Sequence, residues 1–152
     1  MSGYICRLMQ QAELDEVIEL AHKAGNFSWS PKIIQETFLS NINNSFVLGT
    51  IKESEVLGYA VIHKVLDESH LLNIVIKKQE QGKGLGTHFL QQLIDVVKQS
   101  NQDSLLLEVR SSNVKAIKLY EKFGFKRSDI RKAYYPTVEG REDAWLYSLS
   151  LE

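Results

Sequence analysis

The segment Leu71 to Gly86, LLNIVIKKQEQGKGLG, constrains this chain more than any other, because an apolar run passes directly into a glycine-rich turn and then into a helical pattern. Glycines at 82, 84 and 86 let the backbone approach a ligand with no Cβ in the way. The helix that follows points its free N–H groups back at the same spot, and a phosphate group suits such a cradle. Spacing separates it from other glycine motifs. A nucleoside-triphosphate loop needs G-x-x-x-x-G-K-S/T, whereas here Lys83 stands between glycines and Thr87 is too far away to hold a magnesium ion. A dinucleotide fingerprint needs G-x-G-x-x-G opening a first βα unit, but this G-x-G-x-G comes late in the chain.

The order Gln81-x-x-Gly84-x-Gly86 resembles the pyrophosphate-binding signature of the GNAT superfamily of N-acetyltransferases, which bind acetyl-coenzyme A. A plain structural strand–turn–helix junction is the competing reading of so short a pattern. The 152 residues, 43% hydrophobic and 24% charged, suit one compact domain with its own core. A formal net charge of -1 supplies no electrostatic case for nucleic-acid binding. The single cysteine, Cys6, excludes an intramolecular disulfide and suits a reducing compartment; its expected place is a small buried strand residue. Neither a basic-then-apolar leader nor an apolar run of about 18 residues is present, so the expectation is a soluble cytoplasmic protein without a membrane partner.

Periodicity predicts the elements. Tyr4 to Met9 reads as a strand, and Leu14, Val17, Ile18 and Ala21 repeat at helical spacing until Gly25 and Asn26. Ser30-Pro31 starts a second helix as N-cap and first helical residue, with Ile34, Phe38 and Ile42 as its buried stripe. Phe46 to Ile51 and Val56 to Val65 read as an antiparallel hairpin around Lys52 to Glu55, followed by a strand from His70 to Lys77. The helix after the glycines carries Leu85, Phe89, Leu93 and Val96 on one face. Ser104 to Val109 is a strand, and Val114 to Lys122 a short helix capped by Gly124. Phe125 to Tyr135 and Ala144 to Leu151 read as strands around a Pro136-to-Gly140 loop. The β-α-α-β-β-β-α-β-α-β-β order defines an α+β domain over residues 1 to 152, and it is also the order of the GNAT superfamily. That resemblance implies a mixed, mostly antiparallel sheet of about seven strands flanked by four helices.

Strand alternation places Leu105, Leu107 and Val109 on one face, and Leu106, Glu108 and Arg110 on the other. Glu108 therefore has two readings: an ion pair with a cation such as Arg110, or a partly buried base that takes a proton from an amine, directly or through water. Asn113 is either the N-cap of the next helix or a contact to a ligand amide. Tyr120 is either part of a buried stripe with Ala116 and Phe123 or an acid toward a thiolate leaving group. His22, His63, His70 and His88 lack metal-ligand spacing, so no metal is expected.

Several segments together resemble the RimI family of bacterial ribosomal-protein alanine N-acetyltransferases. They are Trp29-Ser30, NIVI at 73 to 76, QGKGLG, LEVRSSN at 107 to 113, LYEKFGF at 119 to 125, YYP at 134 to 136 and GREDA at 140 to 144. The resemblance implies acetyl transfer from acetyl-coenzyme A to the N-terminal α-amine of a small-subunit ribosomal protein. It makes Glu108 the proton acceptor, Tyr120 the proton donor and Asn113 a cofactor contact. The backbone of Ile74, Val75 and Ile76 would hold the pantetheine and thioester, and Gly82, Lys83, Gly84, Leu85, Gly86 and Thr87 the pyrophosphate. Gly82 stands where the family often has arginine, which removes a side-chain contact and leaves the backbone clamp.

Trp29 and Tyr135, with Tyr134, are candidates for lining the acceptor cleft, against the alternative of hydrophobic anchors. Asp67 and Glu68 are candidates for attracting a basic peptide, against solvated turn carboxylates. An α-amine has a pKa of about 8, so direct attack through a tetrahedral intermediate needs only assistance from a base. Cys6 has no adjacent base and is not the expected nucleophile. Fold does not fix the acceptor, so a lysine or small-amine acetyltransferase is the alternative, and a non-catalytic acyl-coenzyme A sensor is a third reading.

Overall fold

The computed structural model describes residues 3–23, 30–52 and 55–152. Its elements run β1 (Tyr4–Leu8), α1 (Leu14–Lys23), α2 (Pro31–Ser40), β2 (Ser45–Thr50), β3 (Gly58–Val65), β4 (Glu68–Ile76), α3 (Leu85–Gln99), β5 (Ser104–Arg110), α4 (Val114–Lys122), β6 (Lys126–Thr137) and β7 (Gly140–Ser150). The strands form one seven-stranded sheet in the order β1-β2-β3-β4-β5-β7-β6. β1–β2, β2–β3, β5–β7 and β6–β7 pair antiparallel, while β4 and β5 pair parallel from Glu68↔Ser104 to Leu71↔Leu107. Parallel neighbours need a crossover connection, and α3 is that crossover. This is the mixed, mostly antiparallel α+β sheet with four α-helices that the family resemblance implies.

Contacts gather into two compact units, one of Met1–His63 with Leu72–Val96 and one of Lys64–Leu71 with Val97–Glu152. In the first, Val17, Leu20 and Ala21 of α1 and Ile34 and Phe38 of α2 close over Val47, Tyr59 and Val61 of β2 and β3. The Phe38 and Tyr59 rings meet edge to face at 5.2 Å, a geometry worth ~0.5–1.5 kcal/mol beyond the area it buries. Ser30 caps α2 by accepting the Ile33 N–H at 3.2 Å, with Pro31 at the first helical position as expected. The expected stop of α1 at Gly25 and Asn26 lies outside the described residues. On α3 the buried stripe continues from Leu85, Phe89 and Leu93 to Val97; Val96, expected there, is exposed. Steps of four keep residues 85, 89, 93 and 97 on one ridge, and residue 96 falls beside it. Cys6 is half-buried, and burial pushes its thiol up to about 12, so it is not a thiolate at neutral pH.

In the second unit, Leu105, Leu107 and Val109 of β5 are buried, as alternation requires. Asn113 Oδ1 accepts the Ala116 N–H at 3.3 Å and caps α4, and Gly124, at φ 94°, follows its last turn. The last two strands are longer than expected: β6 runs through Pro136 to Thr137, and β7 begins at Gly140, its partner in the ladder. β6 is the outer strand of the sheet, where a proline without an N–H is tolerated. Among the described residues no helix is long and apolar enough to cross a membrane.

Candidate functional site

β4 ends at Ile76, and a short 3-10 turn at Lys78–Glu80 leads to the glycines. Gln81 Nε2 donates to the Ile76 carbonyl at 2.9 Å, tying the loop to the strand end. Gly82 and Gly84 both adopt φ 82°, a left-handed conformation that costs an L-residue about 1–2 kcal/mol. A Cβ at Gly82 would meet nothing within 4 Å, so the backbone turn and not crowding calls for glycine there. Gly84 O accepts the His88 N–H at 3.1 Å, which opens the α3 ladder. The amides of Leu85, Gly86 and Thr87 therefore belong to the first turn, where no intrahelical acceptor exists.

Gly82, Lys83 and Gly84 are exposed, whereas Leu85 is buried and has only its amide to offer a ligand. Lys83 Nζ pairs with Glu80 at 2.8 Å beside the turn. Amide donors at a helix N-terminus, next to a glycine turn with open space over it, fit a diphosphate.

Behind the loop, Gly58 permits a close approach that the sequence alone did not single out. A Cβ there would lie 2.7 Å from Val75 O and 2.9 Å from Ile76 Cδ1. Glycine inside a strand pattern is the signal that marks such contacts. The Val75 side chain packs on the α1–α2 core, so the neighbouring Ile74 and Ile76 face the other way. Asn73 Nδ2 donates to the Tyr59 hydroxyl at 3.0 Å and holds the strand from the same side as β3.

In the second unit the charged residues pair differently from the sequence expectation. Glu108 is solvent-accessible, with about a third of its side chain exposed (34%), and its carboxylate meets Arg131 at 3.3 Å, not Arg110. Arg110 instead reaches Glu142 at 3.3 Å and the Pro136 carbonyl at 3.2 Å, with its guanidinium 4.4 Å over the Tyr135 ring. Register explains the exchange. Arg110 and Arg131 both stand opposite Ala144, and Tyr135 stands opposite Glu142 two residues along the same face of β7.

The Tyr120 ring is buried and packs edge to face on Phe125 at 5.7 Å. Its hydroxyl makes no hydrogen bond to the described residues, and none of their sealed side-chain polar atoms lacks a partner, so the hydroxyl opens onto accessible space. Burial, aided by the Tyr135 phenol, pushes its pKa up to about 12 and keeps it protonated at neutral pH. The Tyr135 phenol is itself raised, first by burial and then by the Glu108 carboxylate. Among these groups the Tyr135 phenol is the one that interacts electrostatically with both the Glu108 carboxylate and the Tyr120 phenol.

Other candidates fall elsewhere. Glu68 starts β4, whereas the glycine loop follows its far end, roughly 26 Å away at an extended strand's rise per residue. Glu68 therefore takes no part in the glycine turn. Trp29 lies outside the described residues. Asn113 spends its carbonyl oxygen on the helix cap, so its amide NH2 is the group left to meet a ligand. Among the described residues no group of three or more His, Cys, Asp or Glu side chains is placed to hold a metal ion.

A strand running into a glycine-turned helix start, with amides left free in its first turn, is an arrangement suited to a phosphorylated carrier. Residues 14–125 match the Acetyltransferase (GNAT) family, and the chain belongs to that family. It is 36% identical over 144 residues to the ribosomal protein bS18-alanine N-acetyltransferase of Escherichia coli K12, covering 94% of this chain and 95% of that protein. The crystal structure of the ribosomal-protein-S18-alanine N-acetyltransferase from Escherichia coli superimposes with a TM-score of 0.87 at 35% identity, covering 98% of this chain and 94% of that one. The structure of yncA from Salmonella typhimurium with its cofactor acetyl-CoA shares the fold at a TM-score of 0.80 and 17% identity, covering 99% and 95% of the two chains.

Proposed function

We propose that this chain transfers an acetyl group from acetyl-coenzyme A to the N-terminal α-amine of an alanine-starting small-subunit ribosomal protein. The observation that carries the reading is the end-to-end likeness, at 36% identity, to the Escherichia coli enzyme named for that reaction. Acetyl-coenzyme A supplies the activated thioester. The amides at Gly82 to Thr87 bind its pyrophosphate, and the Ile74 to Ile76 backbone aligns the pantetheine arm and polarises the thioester carbonyl. Glu108 takes the proton released as the amine nitrogen attacks the carbonyl carbon, and Tyr120 returns a proton to the sulfur as the C–S bond breaks. Asn113 contributes its amide to the carrier, and Tyr135 lines the acceptor's path. No acetyl-enzyme is involved, in keeping with a Cys6 thiol held protonated.

A panel of alanine-starting peptides, the same peptides blocked at the N-terminus but bearing an internal lysine, and polyamines tests the acceptor. Acetylation of the free α-amine in strong preference to the others is expected. Preference for lysine or polyamine would overturn the acceptor assignment, and cofactor binding without any transfer would make the chain an acyl-coenzyme A sensor.

The clamp has its own test. Valine at Gly84 must enter a left-handed turn and place a branched side chain over the anion site, so Gly84→Val should weaken acetyl-coenzyme A binding about tenfold or more. Calorimetry on the folded variant showing wild-type affinity would remove the loop from cofactor binding.

A further inference from the structure

β6 and β7 pair in step from Asp129↔Leu146 to Arg131↔Ala144, and resume at Tyr135↔Glu142. Across that gap β7 contributes one residue, Asp143, while β6 contributes Lys132, Ala133 and Tyr134. β6 therefore arches outward, and the arch advances Tyr135 by two positions into register with Glu142. In a ladder without the arch Ala133 would occupy that place, and Tyr135 would lie beyond the contacts of Arg110 and Glu142. The arch is held at its crown. Ala133 adopts φ 50°, a conformation alanine rarely takes, and its N–H donates to Asp143 Oδ1 at 3.0 Å.

The foot of the arch is held from β5. Glu142 accepts the Ser112 N–H at 3.1 Å and its hydroxyl at 2.7 Å, and meets Arg110 at 3.3 Å, while the Arg110 guanidinium covers the Tyr135 ring. The Asp143 carbonyl also accepts the Ser111 N–H at 3.0 Å, so the two acidic residues clasp the β5–α4 turn and the arch together. We propose that Asp143 is a positioning residue for the acceptor, its carboxylate on the Ala133 amide holding the arch that sets Tyr135 against Arg110 and opposite Glu142. The proposal rests on the reading of Tyr135 as part of the acceptor's path.

Asp143→Ala removes the acceptor oxygen, and the arch relaxes; Asp143→Asn keeps an oxygen in the same place. Steady-state kinetics on an alanine-starting peptide should show the alanine variant with a peptide KM raised about tenfold, since a displacement of about 1 Å already has large kinetic effects. The acetyl-coenzyme A KM should stay at the wild-type value. The asparagine variant should keep most of the peptide affinity. Combining Asp143→Ala with Ala133→Gly should recover much of the loss, because glycine holds a positive φ without the carboxylate. Ala133 amide hydrogen exchange should be protected in wild type and Asp143→Asn and fast in Asp143→Ala, whatever the substrate.

A peptide KM unchanged in Asp143→Ala, or equal losses in the alanine and asparagine variants, overturns the proposal. Equal rises in both KM values would mean a general structural role and overturn it as well. Wild type that leaves the peptide unmodified while acetylating another amine overturns the acceptor reading instead, and the two failures are told apart by that control.

Discussion

Glu108→Gln should lower acetyl transfer to an alanine-starting peptide by about a hundredfold or more at neutral pH while cofactor affinity is unchanged. Glutamine keeps the shape of the side chain and most of its hydrogen bonding, but cannot accept a proton. The deficit should shrink as the pH rises past about 8, because the α-amine is then largely neutral and needs less help. Stability distinguishes this outcome from a structural one. The Arg131 partner is half exposed and Glu108 about a third exposed, and ion pairs so screened are worth ~0–1 kcal/mol, so the melting temperature should move little. The check is a pair of pH–rate profiles with thermal melts on the same samples. Parallel profiles with a clear fall in melting temperature would make Glu108 structural and place the base elsewhere.

Tyr120→Phe should also cost about a hundredfold in turnover, again with little loss of stability. The ring stays packed on Phe125, and the deleted hydroxyl has no hydrogen bond to the described residues to lose. Burial raises the phenol to about 12 from an ordinary 10, so its proton is present in folded and unfolded chains alike below pH 10. The stability linked to that proton is complete below pH 10 and is lost as the pH rises through about 12. The activity loss should therefore be seen at neutral pH, where stability does not change with this titration, and the variant should lose stability less steeply in the alkaline range. Pre-steady-state kinetics with chemistry shown to limit turnover is the decisive measurement. A near-normal rate would remove Tyr120 from the mechanism.

The parts of this protein that its sequence alone determined are those whose physics is local. Ser30-Pro31 starts α2, Asn113 caps α4 and Gly124 follows it because each acts within about a turn of itself. The alternation that buries Leu105, Leu107 and Val109 is a property of any strand. Gly82 and Gly84 announce a left-handed turn because other residues are penalised there, and that turn is what the structure contains. Even the acid–base candidates were legible as residue types at strand and helix positions.

Partnership was not legible, because it depends on register between strands far apart in the chain. Glu108 pairs with Arg131 and not with its near neighbour Arg110, since both arginines face Ala144 and the shared face of β5, β7 and β6 sorts them. Gly58 against Val75, and the arch that carries Tyr135 to Glu142, exist only once strands are laid side by side. A one-residue slip in such a ladder turns every side chain to the opposite face, and no local preference specifies it. Backbone conformation at single positions was therefore written in the chain, while the charges that meet were decided by the packed sheet.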